Sequence, residues 1–104
     1  MSIENMVLNR QQVFATILSH QQELRNLGVV KLQLFGSTAR DESVDGSDLD
    51  FLLELRENSF DSYMGVKLLL EDLFHRSVDL VLRDTLKPRI KEQILQEAIH
   101  APGF

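Results

Sequence analysis

The sequence predicts an α/β (α+β) fold in which helices pack on a small mixed β-sheet. Two observations support this prediction. Helix-like and strand-like segments follow one another in the order helix, strand, strand, helix, strand, helix. The chain of 104 residues has room for one hydrophobic core, which we assign to a single domain over residues 1–104.

The first half of the chain contains a predicted helix and a predicted strand. Residues 9 to about 26 carry apolar side chains at helical spacing, and Gly28 follows as a C-terminal stop. Residues 29–35 have the length, β-branched content and alternation of a strand. Residues 37–47 are small, polar and acidic, which predicts a short helical turn and a loop.

The second half contains two further strands and two further helices. A strand over residues 48–55 begins with two carboxylates and ends in an apolar run. Apolar residues mark a helix between positions 60 and 74, and residues 77–83 form a third strand. Pro88 introduces the last helix, whose apolar spacing continues to Ile99.

Composition excludes several classes of function. The chain has no cysteine, so any metal ion must be held by oxygen or imidazole ligands. The net charge of -5 argues against a protein that grips a nucleic-acid backbone. The sequence has neither a signal peptide nor an apolar run long enough to span a bilayer, and we therefore expect a cytoplasmic location.

The most informative motif is Gly36-Ser37, followed by ten residues and then by Asp48-Leu49-Asp50. A glycine and a serine between a strand and a helix can offer backbone N–H groups and a hydroxyl to a phosphate. Side chains two positions apart on a strand share one face, so the carboxylates of Asp48 and Asp50 can share a cation. Mg²⁺ is the expected ion, because it prefers oxygen ligands.

Asp79 is a third candidate, because it lies within an otherwise apolar strand. An ionised carboxylate there is costly unless a neighbouring group compensates its charge. If the third strand lies beside the second, Asp79 could complete a cluster that holds two metal ions for in-line displacement at phosphorus. It would then help to bind or deprotonate the attacking hydroxyl group.

Each residue also has a purely structural interpretation. The Gly-Ser pair is an ordinary turn signal, Asp48 could cap a helix, and Asp50 or Asp79 could face solvent at a strand surface. The combination is harder to explain by folding alone, since each feature costs stability. We leave Arg40 out of the predicted site, because a salt bridge with a nearby acid explains it equally well.

The spacing of Gly36-Ser37 and Asp48-Leu49-Asp50 resembles the signature of the nucleotidyltransferase superfamily that includes DNA polymerase beta. The length of the chain and the segment around Asp79 resemble those of the minimal nucleotidyltransferases of this superfamily, the MNT proteins. The resemblance implies the nucleotidyltransferase fold. It further implies that Gly36 and Ser37 contact triphosphate oxygens, and that Asp48, Asp50 and Asp79 bind magnesium, with two ions expected.

MNT proteins are commonly antitoxins paired with a HEPN-domain ribonuclease toxin. The resemblance therefore implies that AMP is transferred from ATP to a tyrosine of such a toxin, encoded by a neighbouring gene, in a hetero-oligomer. One rival is an antitoxin that binds and masks the toxin without catalysis. Another is transfer to a small-molecule hydroxyl, for which the chain has no second domain to build a deep pocket.

Overall fold

A computed structural model describes residues 9–39 and 48–104. The described residues form helices packed on one four-stranded sheet, as the sequence predicts. The elements in chain order are α1 (Arg10–Ser19), α2 (Gln21–Asn26), β1 (Val29–Phe35), α3 (Gly36–Ala39), β2 (Leu49–Leu55), α4 (Phe60–Phe74), β3 (Val78–Leu82), α5 (Pro88–Glu97) and β4 (Ile99–His100).

The sheet has the strand order β3-β2-β1-β4 and is mixed. β1 runs antiparallel to β2 and to β4, whereas β2 runs parallel to β3. The parallel pair is connected through α4, because parallel strands need a crossover connection. This arrangement places the beginnings of β2 and β3 side by side.

The hydrophobic core lies between one face of this sheet and the helices α1, α2 and α4. Alternate strand residues point into it, and the helices close it with apolar side chains at helical spacing. Its fully buried members include Val13, Ile17, Leu24, Leu32, Leu34, Phe51, Leu53, Val66 and Leu70. The polar residues that alternate with them on the strands are therefore directed to the opposite face of the sheet.

The predicted first helix is wrong in one respect, because it is two helices that separate at His20. The His20 backbone leaves the helical region, and its N–H donates to the carbonyl of Ile17 at 3.0 Å. The His20 ring also lies 2.9 Å from the carbonyl of Thr16. A glycine or proline would have signalled this break, and the sequence has neither there.

The predicted last helix is also too long, since Ile99 belongs to β4. Ala98 is extended, and Ile99 then pairs with Leu34 on the open edge of β1. After β4 the chain folds back on α2, where the Arg25 guanidinium lies 5.2 Å from the centre of the Phe104 ring. These contacts with the sheet and with α2 outweigh the helical spacing of the apolar residues.

The other predicted elements agree with the structure to within one or two residues. α3 is the predicted helical turn, and the predicted loop beyond it falls on residues 40–47, together with Arg40, outside the described residues. Within the described ranges, no helix is both long enough and apolar enough to cross a bilayer.

Helix α4 closes the outer edge of β3. Three of its side chains, spaced four residues apart, reach the backbone of this strand: Tyr63, Lys67 and Glu71. The Tyr63 hydroxyl donates to the carbonyl of Leu80 at 2.6 Å. The Lys67 ammonium donates to the carbonyl of Val78 at 2.6 Å. An edge strand whose backbone groups are bonded in this way is a poor template for pairing with another chain.

The Glu71 carboxylate completes these contacts. It accepts a hydrogen bond from the Val78 backbone N–H at 3.0 Å and lies 3.2 Å from the Lys67 ammonium. The Val78 hydrogen bond, followed by that from Lys67, holds the pKa of Glu71 below its ordinary value of 4.5. Folding therefore favours the ionised carboxylate.

We expect this contact to make the stability of the fold pH-dependent. A lowered folded-state pKa stabilises the protein above the unfolded pKa, and the contribution is lost as the pH falls through the folded-state value. Urea unfolding should show that the wild type is more stable than Glu71→Gln at neutral pH. The difference should shrink as the pH falls below 4.5.

The matched control is Asp72→Asn, which removes an exposed carboxylate from the same helix. It changes the net charge as Glu71→Gln does and leaves the contact with β3 in place. Equal effects of the two substitutions across the pH range would contradict this account.

Candidate active site

Asp50 and Asp79 lie opposite each other on neighbouring parallel strands. The register of β2 and β3 pairs Asp50 with Asp79 directly. Their sequence neighbours Leu49, Phe51 and Leu80 are buried in the core, so both aspartates project from the other face of the sheet. Asp50 is half-buried and Asp79 is exposed. The sequence-based condition that the third strand lies beside the second is thereby confirmed.

Asp48 lies immediately before β2 and is exposed. It is two positions from Asp50, which places it on the same side of the chain if the extended backbone continues. Among residues 9–39 and 48–104, no group of three or more His, Cys, Asp or Glu residues is arranged to hold a metal ion. The structure therefore brings Asp50 and Asp79 together, and the place of Asp48 in the predicted cluster stays a prediction.

Gly36 is packed against the carboxylate of Asp50. Phe35, at the end of β1, pairs with Asp50 in register, and Gly36 follows it with a φ of +79°. A Cβ added at Gly36 would overlap Oδ2 of Asp50 and lie 3.0 Å from its Cγ. Any side chain at position 36 would therefore displace this carboxylate, and only glycine combines the positive φ with the close approach.

The short helix α3 carries Gly36 and Ser37 directly from the end of β1. Its last carbonyl, that of Ala39, accepts a hydrogen bond of 2.9 Å from the guanidinium of Arg10 on α1. Thr38 is buried at 1% exposure, and within the described ranges its hydroxyl oxygen has no hydrogen-bond partner. The Arg10 hydrogen bond fixes the end of α3 against α1, and the close approach of Gly36 places its beginning next to Asp50.

The donor groups at this end of the sheet suit Mg²⁺. Asp48, Asp50 and Asp79 supply carboxylate oxygens, the ligands that Mg²⁺ prefers. Like charges at directly opposed strand positions destabilise a sheet, and a divalent cation would remove that cost. The glycine beside Asp50 leaves room for this carboxylate itself, which occupies the space that a Cβ at position 36 would take.

A cavity of about 260 Å³ lies elsewhere in the molecule. Its lining includes Phe60 and Tyr63 of α4 and Leu82 at the end of β3. Asp79 is near the beginning of β3, so the cavity is at the other end of the strand. It has no carboxylate in its lining and is not the predicted site.

The three histidines take no part in this arrangement. His20 and His75 lie at the C-terminal ends of α1 and α4, and His100 is exposed on β4. Glu71 is not predictable as a contact of β3: its spacing from Lys67 is visible in the sequence, but its hydrogen bond with Val78 arises only in the folded chain.

Comparison with known proteins identifies the family. The profile of the nucleotidyltransferase domain matches residues 16–100. The chain belongs to the nucleotidyltransferase domain family. It is 31% identical over 96 residues to the protein adenylyltransferase MntA of Thermococcus cleftensis, and the alignment covers 90% of this chain and 97% of that protein. The chain is accordingly a nucleotidyltransferase, and its resemblance to MNT proteins is confirmed.

Solved structures show the same fold. A structure assigned as a minimal nucleotidyltransferase superposes with a TM-score of 0.78 at 34% identity, over 88% of this chain and 95% of the other. A toxin-antitoxin structure with AMP-PNP gives a TM-score of 0.69 at 18% identity, over 88% of this chain and 73% of the other. The nucleotidyltransferase fold expected from the sequence is confirmed.

The packing of Gly36 against Asp50 generates a prediction for the substitution Gly36→Ala. Its matched control is Gly28→Ala, because Gly28 also has a positive φ, of +99°, but an added Cβ there would have no atom within 4 Å. Both variants should lose about 1 to 2 kcal/mol of stability through backbone strain. Only Gly36→Ala should displace Asp50.

Isothermal calorimetry with Mg²⁺ and ATP separates the two effects. Gly36→Ala should bind Mg²⁺ and ATP roughly 10- to 100-fold more weakly than the wild type. Losses of this size are typical when the groups that orient a metal ligand are disturbed. Gly28→Ala should bind as the wild type does. Equal affinities of the two variants would show that the close approach of Gly36 to Asp50 has no functional role.

Proposed function

We propose that this nucleotidyltransferase is a Mg²⁺-dependent protein adenylyltransferase and an antitoxin. It transfers AMP from ATP to a tyrosine of a partner HEPN-domain ribonuclease toxin and so inactivates the toxin. The observation that supports this proposal most directly is the pairing of Asp50 with Asp79, with Gly36 packed against Asp50. A relative that matches over nearly its whole length is itself named a protein adenylyltransferase.

Each site residue has a role in this proposal. Asp48, Asp50 and Asp79 would hold two Mg²⁺ ions, and Gly36 and Ser37 would contact the triphosphate of ATP. When bound, Mg²⁺ supplies the positive charge that neutralises the phosphates and polarises the reacting phosphorus. The protein contributes the fixed positions of its carboxylates on two hydrogen-bonded strands.

The reaction exchanges a phosphoanhydride bond of ATP for a phosphoester bond to the tyrosine. The tyrosine hydroxyl oxygen attacks the α-phosphorus of ATP and forms a new bond with it. The bond between that phosphorus and the oxygen bridging to the β-phosphate breaks, and pyrophosphate leaves. Asp79 is exposed at the surface, where it can meet an acceptor on another protein and take the hydroxyl proton.

Several features support a protein acceptor. Asp48 and Ser77, which precede β2 and β3, are exposed, as is Asp79. A partner protein can therefore present its acceptor group at this edge of the sheet. The net charge of -5 fits a protein partner better than a nucleic acid. A toxin-antitoxin structure with a bound ATP analogue has the same fold. The cytoplasmic location expected from the sequence stays a prediction.

The proposal is tested with the protein encoded by the neighbouring reading frame. This partner is incubated with the chain, Mg²⁺ and ATP, and its intact mass is measured. We expect adenylate increments on the partner. They should be lost when its acceptor tyrosine is replaced by phenylalanine, and Asp50→Asn should slow their formation by about 100-fold or more.

Asp72→Asn is the control, because it removes an exposed carboxylate from α4 and should leave the rate unchanged. A tight complex without any mass increment would contradict catalysis and establish that the antitoxin acts by masking. Transfer of AMP to a small hydroxyl compound and not to the partner would establish that the chain is a nucleotidyltransferase of small molecules.

A further inference from the structure

The backbone on both sides of Asp79 is held by side chains of α4. On the N-terminal side, Val78 donates its N–H to Glu71 at 3.0 Å and accepts from Lys67 at 2.6 Å. On the C-terminal side, Leu80 accepts from the hydroxyl of Tyr63 at 2.6 Å. The aspartate therefore lies between two anchored residues.

These contacts complement those from β2. Backbone groups of successive strand residues point alternately to the two sides of the strand, so Val78 and Leu80 face α4 whereas Asp79 faces β2. β3 is the outermost strand of the sheet on this side. Without α4, the segment that carries Asp79 would be fixed along one side only.

The three side chains are well placed to act as a unit. They follow one another at i, i+4 and i+8 on α4 and lie along one stripe of the helix surface. Lys67 and Glu71 are each 29% exposed and lie 3.2 Å apart, so each orients the other towards Val78. None of the three belongs to the carboxylate set of the proposed site.

We propose that Tyr63, Lys67 and Glu71 are positioning residues that hold the Asp79 carboxylate opposite Asp50 for nucleotidyl transfer. They touch neither substrate in this proposal and act through the β3 backbone. The inference rests on the proposed function to the extent that Asp79 is assigned a role in catalysis. A shift of about 1 Å at a catalytic group can cost on the order of 100-fold in rate, so an anchored backbone has a measurable effect.

A double-mutant cycle separates positioning of Asp79 from a general structural role. Lys67→Met removes the ammonium and keeps the apolar part of the side chain. In the otherwise wild-type protein it should lower kcat roughly tenfold and change the KM for ATP by less than about twofold. In an Asp79→Asn background it should cause a further loss of less than about twofold, because residues that act through one group are not additive.

Conservative variants and a control complete the kinetic series. Lys67→Arg should recover most of the activity, since it can still donate to the Val78 carbonyl. Tyr63→Phe should lower kcat in the same sense as Lys67→Met, because it removes only the hydroxyl that reaches Leu80. Asp72→Asn, on the exposed side of the same helix, should have the activity of the wild type.

A second readout does not depend on activity. Binding of Mn²⁺, used in place of Mg²⁺ and without nucleotide, can be followed by electron paramagnetic resonance of the free ion. Lys67→Met should weaken binding roughly tenfold if it lets Asp79 move, whereas Asp72→Asn should not. Urea unfolding identifies the conditions under which every variant is folded, so that all are compared as native proteins.

The outcomes distinguish this inference from the proposed function. If the wild type binds Mn²⁺ and Lys67→Met weakens that binding, but no AMP reaches the partner, the positioning role stands and the proposed function fails. If Lys67→Met lowers kcat equally with and without Asp79, or leaves both kcat and Mn²⁺ affinity unchanged, the positioning role is overturned. Absence of Mn²⁺ binding by the folded wild type would overturn both.

Discussion

The parallel pairing of β2 with β3 is the constraint on which the rest of this structure depends. It sets Asp50 directly opposite Asp79, although the two residues are far apart in the sequence. A slip of one residue would turn Asp79 towards the core and Val78 or Leu80 away from it, because strand side chains alternate between faces. Burial of Val78 and Leu80 therefore fixes the register that also aligns the carboxylates.

Two other features constrain the residues of this pair. Gly36 adopts a positive φ beside Asp50, a conformation that carries an entropic cost for glycine and strain for any other residue. Helix α4 holds the outer edge of β3 by hydrogen bonds to its backbone.

Most of the fold follows from sequence patterns, and the exceptions have physical reasons. The strands and α4 were predictable because their apolar residues meet one core with a clear period. The break at His20 and the strand at Ile99 were not, because neither position carries a local breaking signal. Spacing alone predicted Asp48 and Asp50 on one strand, whereas β2 begins at Leu49, between them. The contacts of Glu71 with Val78 and of Gly36 with Asp50 depend on tertiary packing.

The most direct test of the site is paramagnetic broadening of amide signals by Mn²⁺ in the presence of a non-hydrolysable ATP analogue. We expect the amides of Gly36, Asp50 and Asp79 to broaden first, at substoichiometric metal. The amide of Leu82, at the other end of β3 beside the cavity, lies about 10 Å farther from the metal and should broaden less at the same amount of metal. Broadening that begins around Leu82 and spares Asp50 and Asp79 would contradict the central claim.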